Sequence, residues 1–491
     1  MKTISGTENS KRPLKTVING DDSISGYGTI SGGAPAELTS WRRYLIGPLL
    51  SVYMFGYMMS YYTITEYTNK TWHDIKFKEA NISVNSSSLS VCVANKSSPE
   101  FKVESEATSM AAQYMVYYSL SQGIPAVVSN LILGSYTDAL GRKFLLGVGI
   151  SGTTLRLIFS VIIIYFKFDM LYFIGACFIE GCTGQYATFL QVCLAYAGDI
   201  TKPGKQRTNG MAYIMFMLGS SLTLASFAAG YLIQNYNFYV PLAAAVVLLT
   251  IAFFMMLVLL PESFPPEKRK TGKSLREVVG HSFSFFISKD YGSNRWKYQF
   301  LLLAHGFCEF SFLGRIGTET IYQMSTPFCW SAEKVGLYGA ARTVGMMVFG
   351  VWSVKFFQLF LPDVSIAMIG VLSYAGCFTI TALANNSAML YLAAAVSSFG
   401  PLESIVIRSV ASSLSEPSKQ GAIFAAFASV EIIVNLLSNV GTSAIYSVSV
   451  KFMRGFVFLV LSSFDGIAFV LLIILLIRWK REERKITMVK I

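Results

Sequence analysis

Long apolar blocks, separated by short polar segments, fill most of the chain between residues 44 and 477. A helix needs about 20 apolar residues to cross the roughly 30 Å hydrocarbon core of a bilayer. The blocks are too long, and alternate too little, to be the strands of a membrane barrel, so helices are the elements that can satisfy their own backbone there. The predicted spans are 44–63, 109–133, 144–166, 170–197, 209–233, 238–260, 298–323, 334–360, 363–384, 388–412, 420–446 and 455–477.

A basic hydrophilic stretch, residues 261–297, divides these blocks into two sets of six. The pattern therefore predicts an all-α membrane protein with 12 transmembrane helices in two six-helix bundles, 44–260 and 298–478, joined by a cytosolic linker. Residues 1–43 are polar and rich in Gly, Ser and Thr, which predicts a disordered cytosolic tail. Residues 479–491 are predicted to be a basic cytosolic tail.

Positive charge is concentrated on one predicted side of the membrane. With an even number of spans, both tails and the central linker share one side, and the bias of Lys and Arg toward the cytosol makes that side cytosolic. The basic residues concerned are Arg42, Arg43, Lys268, Arg269, Lys270, Lys273, Arg276, Arg478, Lys480, Arg481, Arg484 and Lys485. The loop 64–108 then faces outward, and its four Asn-x-Ser/Thr sequons predict glycosylation. Those asparagines are Asn69, Asn81, Asn85 and Asn95.

Composition supports a membrane protein and argues against several other classes. Charged residues make up only 14% of the chain, against about a quarter in soluble proteins. The net charge of +12 follows from the cytosolic Lys and Arg and from attraction to anionic lipid, so we expect no nucleic-acid partner. The sequence shows no metal-ligand cluster, nucleotide loop or nucleophile–base spacing. We therefore expect neither an enzyme nor a metal or organic cofactor.

The turn between the second and third blocks reads GSYTDALGRK. It resembles the signature loop of the major facilitator superfamily, G-x-x-x-D-x-x-G-R-K/R, and the six-plus-six layout and the PES after the sixth block agree with that resemblance. The resemblance implies the fold of that superfamily and a loop that acts as a conformational switch. An ordinary basic turn is the alternative. The predicted switch residues are Gly134, Asp138, Gly141, Arg142 and Lys143.

Three motifs of the second half resemble the proton-coupled folate transporter and its relatives in solute carrier family 46. They are STPFCW at 325–330, SIVIRS around Arg408, and KQGAIF at 419–424. The resemblance implies proton-coupled uptake of an anionic organic solute, such as the folates and muropeptides linked to that family. It also implies a disulfide between Cys92 and Cys329 that ties the two halves together on the outer side, with two free thiols as the alternative.

Several positions differ from the folate transporter. Phe312 stands where that transporter has a histidine, Gln185 where it has an aspartate, and Met215 near the place of a glutamate, whereas its arginine is kept as Arg408. Folate and another substrate of the family therefore both remain open. The residues predicted to bind substrate are Arg408, Glu403, Gln185, Tyr186, Phe312 and Arg342.

The predicted spans contain few ionisable side chains, and ten of these are candidates for buried charges. Burial in lipid costs several kcal/mol, so such groups usually face a cavity or a partner. We expect Arg156 to lie beside Glu180, and Asp465 to be structural. The ten residues are Arg156, Glu180, His305, Glu309, Arg315, Arg342, Glu403, Arg408, Glu431 and Asp465.

Four of these groups predict the chemistry of the site. His305 and Glu309 are four residues apart and share a helix face, which predicts a proton relay, with a structural hydrogen bond as the alternative. Glu431 is predicted to take part in the same proton transfer. Arg408 stays charged and needs an anion, which Glu403, Glu431 or a substrate carboxylate can supply.

These features together predict a secondary active symporter, in which two bundles rock about a central site and expose it alternately. A proton gradient would drive the anionic solute toward the cytosol. A receptor or sensor that binds the solute without transporting it is the alternative, and an intramembrane enzyme is a third reading. The plasma membrane and an endolysosomal membrane fit the predicted topology equally well. We expect a monomer or a weak homo-oligomer in the bilayer.

Overall fold

The computed structural model describes residues 41–81, 99–264, 294–324, 327–330, 332–415, 420–449 and 452–489. We number its spans 1 to 12 in chain order. Spans 1 to 6 are Ile46–Glu79, Pro99–Leu140, Arg142–Tyr165, Tyr172–Cys182 with Gln185–Ile200, Lys205–Asn235 and Tyr239–Val258. Spans 7 to 12 are Arg295–Met324, Ala332–Gly345 with Met346–Val351 and Trp352–Phe357, Asp363–Ala382, Ser387–Val396 with Ser397–Phe399 and Leu402–Leu414, Gln420–Ser449 and Phe456–Val489.

Most of these helices are long enough and apolar enough to cross a bilayer. Within the residues that the structure describes, nine helices meet both requirements. Spans 1, 2 and 4 are not among these nine, and span 4 is split into helices of 11 and 16 residues. Spans 1 and 2 have 34 and 42 residues, more than the about 20 that a bilayer core requires. Their additional turns carry polar residues and lie at the predicted outer side.

The outer connection after span 1 is more helical than the sequence indicates. The predicted loop 64–108 is wrong at both ends, because residues 64–79 continue span 1 and residues 99–108 begin span 2. The physical reason is packing outside the apolar core: the Trp72 ring lies 5.2 Å from that of Tyr114 on span 2. Of the predicted glycosylation sites, Asn69 lies in the helix and Asn81 directly follows it. Asn85 and Asn95 lie outside the described residues.

The last residues of the N-terminal tail are ordered. Trp41–Leu45 forms a 3-10 turn, so the disorder predicted for residues 1–43 is wrong for its final residues, and the rest of that tail lies outside the described residues. Arg42 donates hydrogen bonds to the carbonyls of Leu259 at 2.9 Å and Val258 at 2.7 Å. The last carbonyls of a helix lack intrahelical partners, so Arg42 caps the end of span 6.

The predicted cytosolic ends of spans 7 and 12 are joined to each other. Span 7 begins within the last residues of the predicted linker, and span 12 continues through most of the predicted C-terminal tail. The remainder of the linker lies outside the described residues. Glu482 accepts a hydrogen bond from Trp296 Nε1 at 3.0 Å and pairs with Lys297 Nζ at 3.1 Å. These contacts hold the start of span 7 against the end of span 12.

Span 4 is interrupted near its middle. Gly184 has a φ of 86°, a left-handed conformation that glycine adopts without strain, and Gln185 follows with a φ of 50°. Span 3 approaches this break closely, because a Cβ built on Gly152 would lie 1.9 Å from Thr183 Oγ1. The interruption therefore puts irregular backbone inside a membrane span, where it is tolerated only against protein or a water-filled cavity.

The spans pack in two groups that meet along a few of them. In the first half, span 1 contacts spans 2, 5 and 6, and span 3 contacts spans 4 and 6. In the second half, span 7 contacts spans 11 and 12, and span 9 contacts spans 10 and 12. Spans 2 and 4 contact span 11 across the middle, and span 5 contacts spans 8 and 10. The central residues of these crossing spans are therefore where the two halves meet.

Hydrogen bonds join the two halves at the start of span 5 and the end of span 10. Arg207 donates from Nη1 to the carbonyl of Ser412 at 2.9 Å, and the hydroxyls of Thr208 and Ser409 lie 2.7 Å apart. Arg207 also donates to the carbonyl of Gly198, at the end of span 4. These span ends lie on the predicted cytosolic side. The halves are thus closed against each other on that side.

Candidate functional site

Five ionisable side chains lie together where spans 7, 10 and 11 meet. Nδ1 of the fully buried His305 lies 3.0 Å from Glu403 Oε1, and its Nε2 lies 3.1 Å from Glu431 Oε1. Arg408 forms an ion pair with Glu431, and Glu309 Oε1 lies 3.7 Å from His305 Nε2. The residues predicted for proton transfer are therefore in contact with the predicted arginine. We call these five residues the central cluster.

Local helix geometry places the members of the central cluster. His305 and Glu309 are separated by one turn of span 7, as their spacing predicts. Glu403 lies in the first turn of the last helix of span 10, two residues after Pro401, where a helix dipole favours a carboxylate. Span 9 packs closely at this point, because a Cβ built on Gly370 would lie 2.5 Å from the backbone nitrogen of Glu403.

Glu431 is the anion that pairs with Arg408, one of the alternatives that the sequence leaves open. The side chains of Arg408 and Glu403 are 4% and 2% exposed, whereas those of Glu309 and Glu431 are each 14% exposed. A charge that faces lipid is costly. The partial exposure of these two carboxylates therefore indicates a polar pathway beside the central cluster.

The central cluster contains more negative than positive groups. Three carboxylates face one guanidinium and one imidazole, so the ionised cluster has a net charge of −1 with a charged His305 and −2 with a neutral one. An uncompensated buried charge is strongly unfavourable. A proton bound by the imidazole or by a carboxylate reduces this imbalance, so the cluster has the composition of a proton-exchanging site.

The central cluster also contacts the first half of the protein. Gln191 on span 4 donates from Nε2 to both carboxylate oxygens of Glu431, at 3.3 and 3.2 Å. Arg408 Nη1 lies 3.9 Å from Met215 Sδ on span 5. A proton or anion bound at Glu431 or Arg408 would therefore act directly on the contact between the two halves.

Two predicted substrate-binding residues lie on span 4, on the same helix as Gln191. Gln185 is 7% exposed and begins that helix. The ring of Tyr186 is half-buried and lies 5.0 Å from that of Tyr57 on span 1. Because Tyr57 is only 5% exposed, the half-buried ring of Tyr186 is the one that could stack on an apolar ring system. Binding of substrate by Gln185 and Tyr186 stays a prediction.

A second buried ion pair lies within the first half. Arg156 Nε is 2.6 Å from Glu180 Oε2, which confirms the expected pairing. Glu180 also accepts hydrogen bonds from Gln122 at 2.5 Å and Thr153 at 2.7 Å, and Arg156 donates to Ser60 at 2.8 Å. Both charges are compensated by protein groups, which makes this pair a structural link between spans 1, 2, 3 and 4.

The other two predicted substrate-binding residues lie nearer the outer end of the second half. Arg342 on span 8 donates to Glu319 Oε1 at 2.6 Å, and Glu319 Oε2 pairs with Arg315 Nη1 at 2.6 Å. The guanidinium carbon of Arg315 lies 4.9 Å from the centre of the Phe312 ring, which in turn lies 5.6 Å from the ring of Tyr374. Phe312 and Arg342 are thus in one group, separate from Arg408.

The predicted switch loop is anchored to the ends of spans 4 and 6. Gly141 has a φ of 98°, and Arg142 Nε lies 3.0 Å from Asp199 Oδ2. The backbone amides of Arg142 and Lys143 donate to Glu262 at 2.9 and 3.3 Å. Gly134 and Asp138 belong to the helical backbone of span 2, and their side chains lie outside what the structure describes. A switching role for this loop stays a prediction.

Cysteine contacts bear on the predicted disulfide. The predicted partner of Cys329, Cys92, lies outside the described residues, so a disulfide between them stays a prediction. The five cysteines within the spans are free thiols, and all of them except Cys182 are buried. They are Cys177, Cys182, Cys193, Cys308 and Cys377.

Part of the central cluster also has the shape of a metal site. His305, Glu309 and Glu431 each offer one ligand atom, and these atoms lie within 4.8 Å of one another. Arg408 is already paired with Glu431, so a divalent cation there would compete with a guanidinium that remains charged. Proton exchange fits this donor set better than metal binding.

Sequence reasoning missed three partners in these networks. Gln191 was overlooked because a search for ionisable residues ignores amides, and nothing in the sequence places it beside Glu431. Glu319 lies four residues after Arg315, a spacing that would have indicated the pair. Glu262 belongs to the PES sequence after span 6, but only the fold shows that its carboxylate accepts hydrogen bonds from backbone amides of the switch loop.

Comparisons with known proteins agree with this architecture. Residues 44–438 match the sequence family described as the Major Facilitator Superfamily. The "Lysosomal proton-coupled steroid conjugate and bile acid symporter SLC46A3" of Gallus gallus is 27% identical over 428 residues, covering 85% of this chain and 91% of the relative. The human protein of the same name is 28% identical over 385 residues, covering 76% and 82%. The "Proton-coupled folate transporter" of Bos taurus is 22% identical over 435 residues, covering 87% and 92%.

Solved structures show the same fold. The human organic anion transporter MFSD10 (TETRAN) superposes with a TM-score of 0.68 at 15% identity, covering 88% of this chain and 99% of that chain. The proton:xylose symporter XylE superposes with a TM-score of 0.60 at 14% identity, covering 87% and 94%. At these identities the likeness concerns the fold alone, and it confirms the arrangement that the signature loop implies.

Proposed function

Since the chain belongs to the major facilitator superfamily, we propose that it carries an amphipathic organic anion together with a proton, from the outer side of the membrane toward the cytosol. Its relatives are membrane transporters, and the chain is a transporter rather than an enzyme. The observation that supports proton coupling is the position of Glu431, whose Oε1 contacts both His305 and Arg408.

This shared oxygen couples the binding of anion and proton. An anionic group that approaches Arg408 competes with Glu431 for the guanidinium. Once Glu431 loses that partner, the central cluster has a larger negative excess, and a proton binds more readily to Glu431 or His305. By reciprocity, a bound proton weakens the Arg408–Glu431 pair and makes Arg408 more available to the anion. The anion and the proton therefore favour each other's binding.

The proposed substrate class follows from the charges and rings that border the central cluster. Arg408 matches a single carboxylate or sulfate, and Tyr186 provides a half-buried ring on the opposite half. Relatives are named as symporters of steroid conjugates and bile acids, and as a folate transporter. Steroid conjugates and bile acids combine an apolar ring system with one anionic group. We place this class first, with folates and muropeptides as alternatives.

Transport would proceed by alternating access. The contacts of Arg207 with Ser412 and of Thr208 with Ser409 lie on the predicted cytosolic side, which supports a state that would receive substrate from outside. Release would require these contacts to open, and the switch loop at Gly141–Lys143, held by Asp199 and Glu262, would change partners in the same step.

Features of the outer surface fit this direction. We propose that Cys92 and Cys329 form a disulfide and that Asn69, Asn81, Asn85 and Asn95 are glycosylated, which would place this surface in an oxidising compartment. An endolysosomal membrane and the plasma membrane both satisfy that condition. Relatives named as lysosomal make the endolysosomal membrane the first choice.

Uptake by purified protein in vesicles tests the proposal. Radiolabelled estrone sulfate, taurocholate, folic acid and muramyl dipeptide would be offered at mildly acidic and at neutral outer pH. We expect faster uptake of at least one anion at acidic pH, because protons are then available to the central cluster. The substitution His305→Gln should reduce the difference in uptake rate between the two pH values.

The partly buried His73, at the outer end of span 1, supplies the matched control. His73→Gln removes an imidazole outside the central cluster and should leave the pH dependence unchanged. Uptake that does not respond to pH in the wild type would contradict proton coupling. Saturable binding of an anion without uptake would instead indicate a receptor or sensor.

A further inference from the structure

Three charged residues form a separate network between the central cluster and the outer end of span 7. Glu319 accepts Arg342 Nη1 on one carboxylate oxygen and Arg315 Nη1 on the other, each at 2.6 Å. Two guanidinium groups thus share one carboxylate, which leaves a net charge of +1. All three side chains are at most 13% exposed. A buried excess of positive charge is unfavourable unless a further anion binds beside it.

Arg342 is not the residue that needs this anion. Its Nη1 donates to Glu319, its Nε donates to Ser397 Oγ at 3.1 Å, and its Nη2 lies 3.3 Å from Cys377 Sγ. Each nitrogen of the guanidinium is engaged, and the side chain is 3% exposed. Arg342 therefore compensates Glu319 and fixes its position.

Arg315 is the residue with unused donor capacity. Its hydrogen bond to Glu319 uses Nη1, whereas its buried Nε has no hydrogen-bond partner among the described residues. The guanidinium lies over the Phe312 ring, with its carbon 4.9 Å from the ring centre, and is the most exposed of the three side chains at 13%. The planar guanidinium stacks on the aromatic ring and binds Glu319 through one edge. Its other edge is then left to bind a carboxylate or sulfate.

Helix geometry places this arginine on the route to the central cluster. Arg315 is ten residues after His305 on span 7, which corresponds to about 15 Å along the helix axis. Phe312 lies between them, two turns after His305, and contacts Tyr374 at 5.6 Å. Because span 7 runs from the predicted cytosolic side to the outer side, Arg315 lies outward of Arg408.

We propose that Arg315 is a second anion-binding site, which receives the anionic group of the substrate from the outer side before it reaches Arg408. The proposal rests on the transport function proposed above. The ligand is a carboxylate or sulfate attached to an apolar ring system, which stacks on Phe312 and Tyr374. Arg342 acts as a positioning residue. The anionic group of the substrate would thus pass from Arg315 on span 7 to Arg408 on span 10.

Binding and uptake of tritiated estrone sulfate test this site in the full-length protein. For Arg315→Gln we expect weaker binding and an apparent KM for uptake raised about tenfold, the usual effect of losing one charge-assisted hydrogen bond. The maximal rate should change little, because the central cluster is intact. Arg315→Lys keeps the charge but not the planar edge, and should fall between wild type and Arg315→Gln.

Two control variants distinguish the loss of this site from a general loss of positive charge and from a loss of transport. Arg481→Gln removes an exposed cytosolic charge and should leave the KM unchanged, while Arg408→Gln should abolish uptake. Thermal melting of each purified variant shows whether it is folded. If the wild type binds estrone sulfate without transporting it, the symport function is overturned. The affinity of Arg315→Gln for estrone sulfate would still test the second site. An unchanged affinity and KM in folded Arg315→Gln would overturn the second site, as would the absence of wild-type binding.

Discussion

At the scale of single residues, Glu431 is the carboxylate that joins the histidine and the arginine of the central cluster to the first half of the protein. Its carboxylate contacts His305, Arg408 and Gln191, which lie on three different spans. The anion of the substrate has to compete with this carboxylate for Arg408. The charge state of Glu431 is therefore expected to set how strongly proton binding and anion binding depend on each other.

The substitution Glu431→Gln tests this dependence. The amide keeps the shape of the side chain but cannot pair with Arg408 as an anion, so Arg408 becomes available at every pH. We expect estrone sulfate to bind at least as tightly as in the wild type, and its binding to lose most of its pH dependence. Accumulation against a gradient should fail, while exchange of labelled for unlabelled substrate continues.

A neutralised acid elsewhere provides the comparison. Glu66 is exposed on span 1, and Glu66→Gln should keep the wild-type pH dependence and accumulation. Retained accumulation by the Glu431→Gln variant would show that another group carries the coupled proton.

The sequence was informative about residues that contrast with their surroundings. His305, Glu309, Arg408 and Glu431 stand out because ionisable groups are rare in apolar blocks, and their positions predicted a site. Their pairing was only partly predictable. The spacing of His305 and Glu309 fixes a shared helix face, but the contact of Arg408 with Glu431 depends on the rotation of two helices about their axes, which the sequence does not specify.

At the scale of elements, hydropathy predicted where the spans are but not how they end or break. Apolarity is required only within the hydrocarbon core, so spans 1 and 2 extend beyond it without an apolar signal. The interruption of span 4 at Thr183 and Gly184 falls inside an apolar block. Glycine is frequent in membrane helices, so Gly184 alone did not distinguish a break from close helix packing.

The contact of span 3 with this break predicts a sensitive position. For Gly152→Ala, the added methyl group would meet Thr183 Oγ1, since an ideal Cβ lies only 1.9 Å from it. Overpacking of this kind costs typically about 1–3 kcal/mol, so we expect a lower midpoint of thermal unfolding in detergent and slower uptake.

Span 4 itself offers a matched control for the added methyl group. Gly175 has no atom within 4 Å of its ideal Cβ, and Gly175→Ala should melt at or above the wild-type temperature because alanine favours helix. Equal melting temperatures for Gly152→Ala and the wild type would show that the break can move away from span 3.

At the scale of the whole molecule, the layout of two sets of six spans could be predicted because a long basic segment separates them. The conformation could not, because one sequence has to support both an outward-facing and an inward-facing state. The bonds of Arg207 and Thr208 to span 10 belong to one of these states. They are polar contacts between residues about 200 positions apart, and no local pattern indicates them.

A reversible crosslink across this contact tests the assignment of the state. In the double variant Thr208→Cys and Ser409→Cys, the two thiols replace hydroxyls that lie 2.7 Å apart, within reach of a disulfide. We expect oxidation to stop uptake while outer-side binding of estrone sulfate continues, and reduction to restore uptake.

The wild type controls for oxidation of its own cysteines. Five of these are free thiols within the described residues, and oxidation should not stop wild-type uptake. Undiminished uptake by the crosslinked double variant would mean that this contact does not open during transport.

The pairing of Arg408 with Glu431 has a consequence for the membrane as a whole. In the proposed mechanism, the guanidinium would keep this carboxylate ionised while no cargo is present, so the carboxylate would carry no hydrogen ion down the gradient. An idle carrier of this design would then not dissipate the acidity of the compartment it faces. The membrane could hold many copies without a standing leak, and its stored acidity would be used only during import.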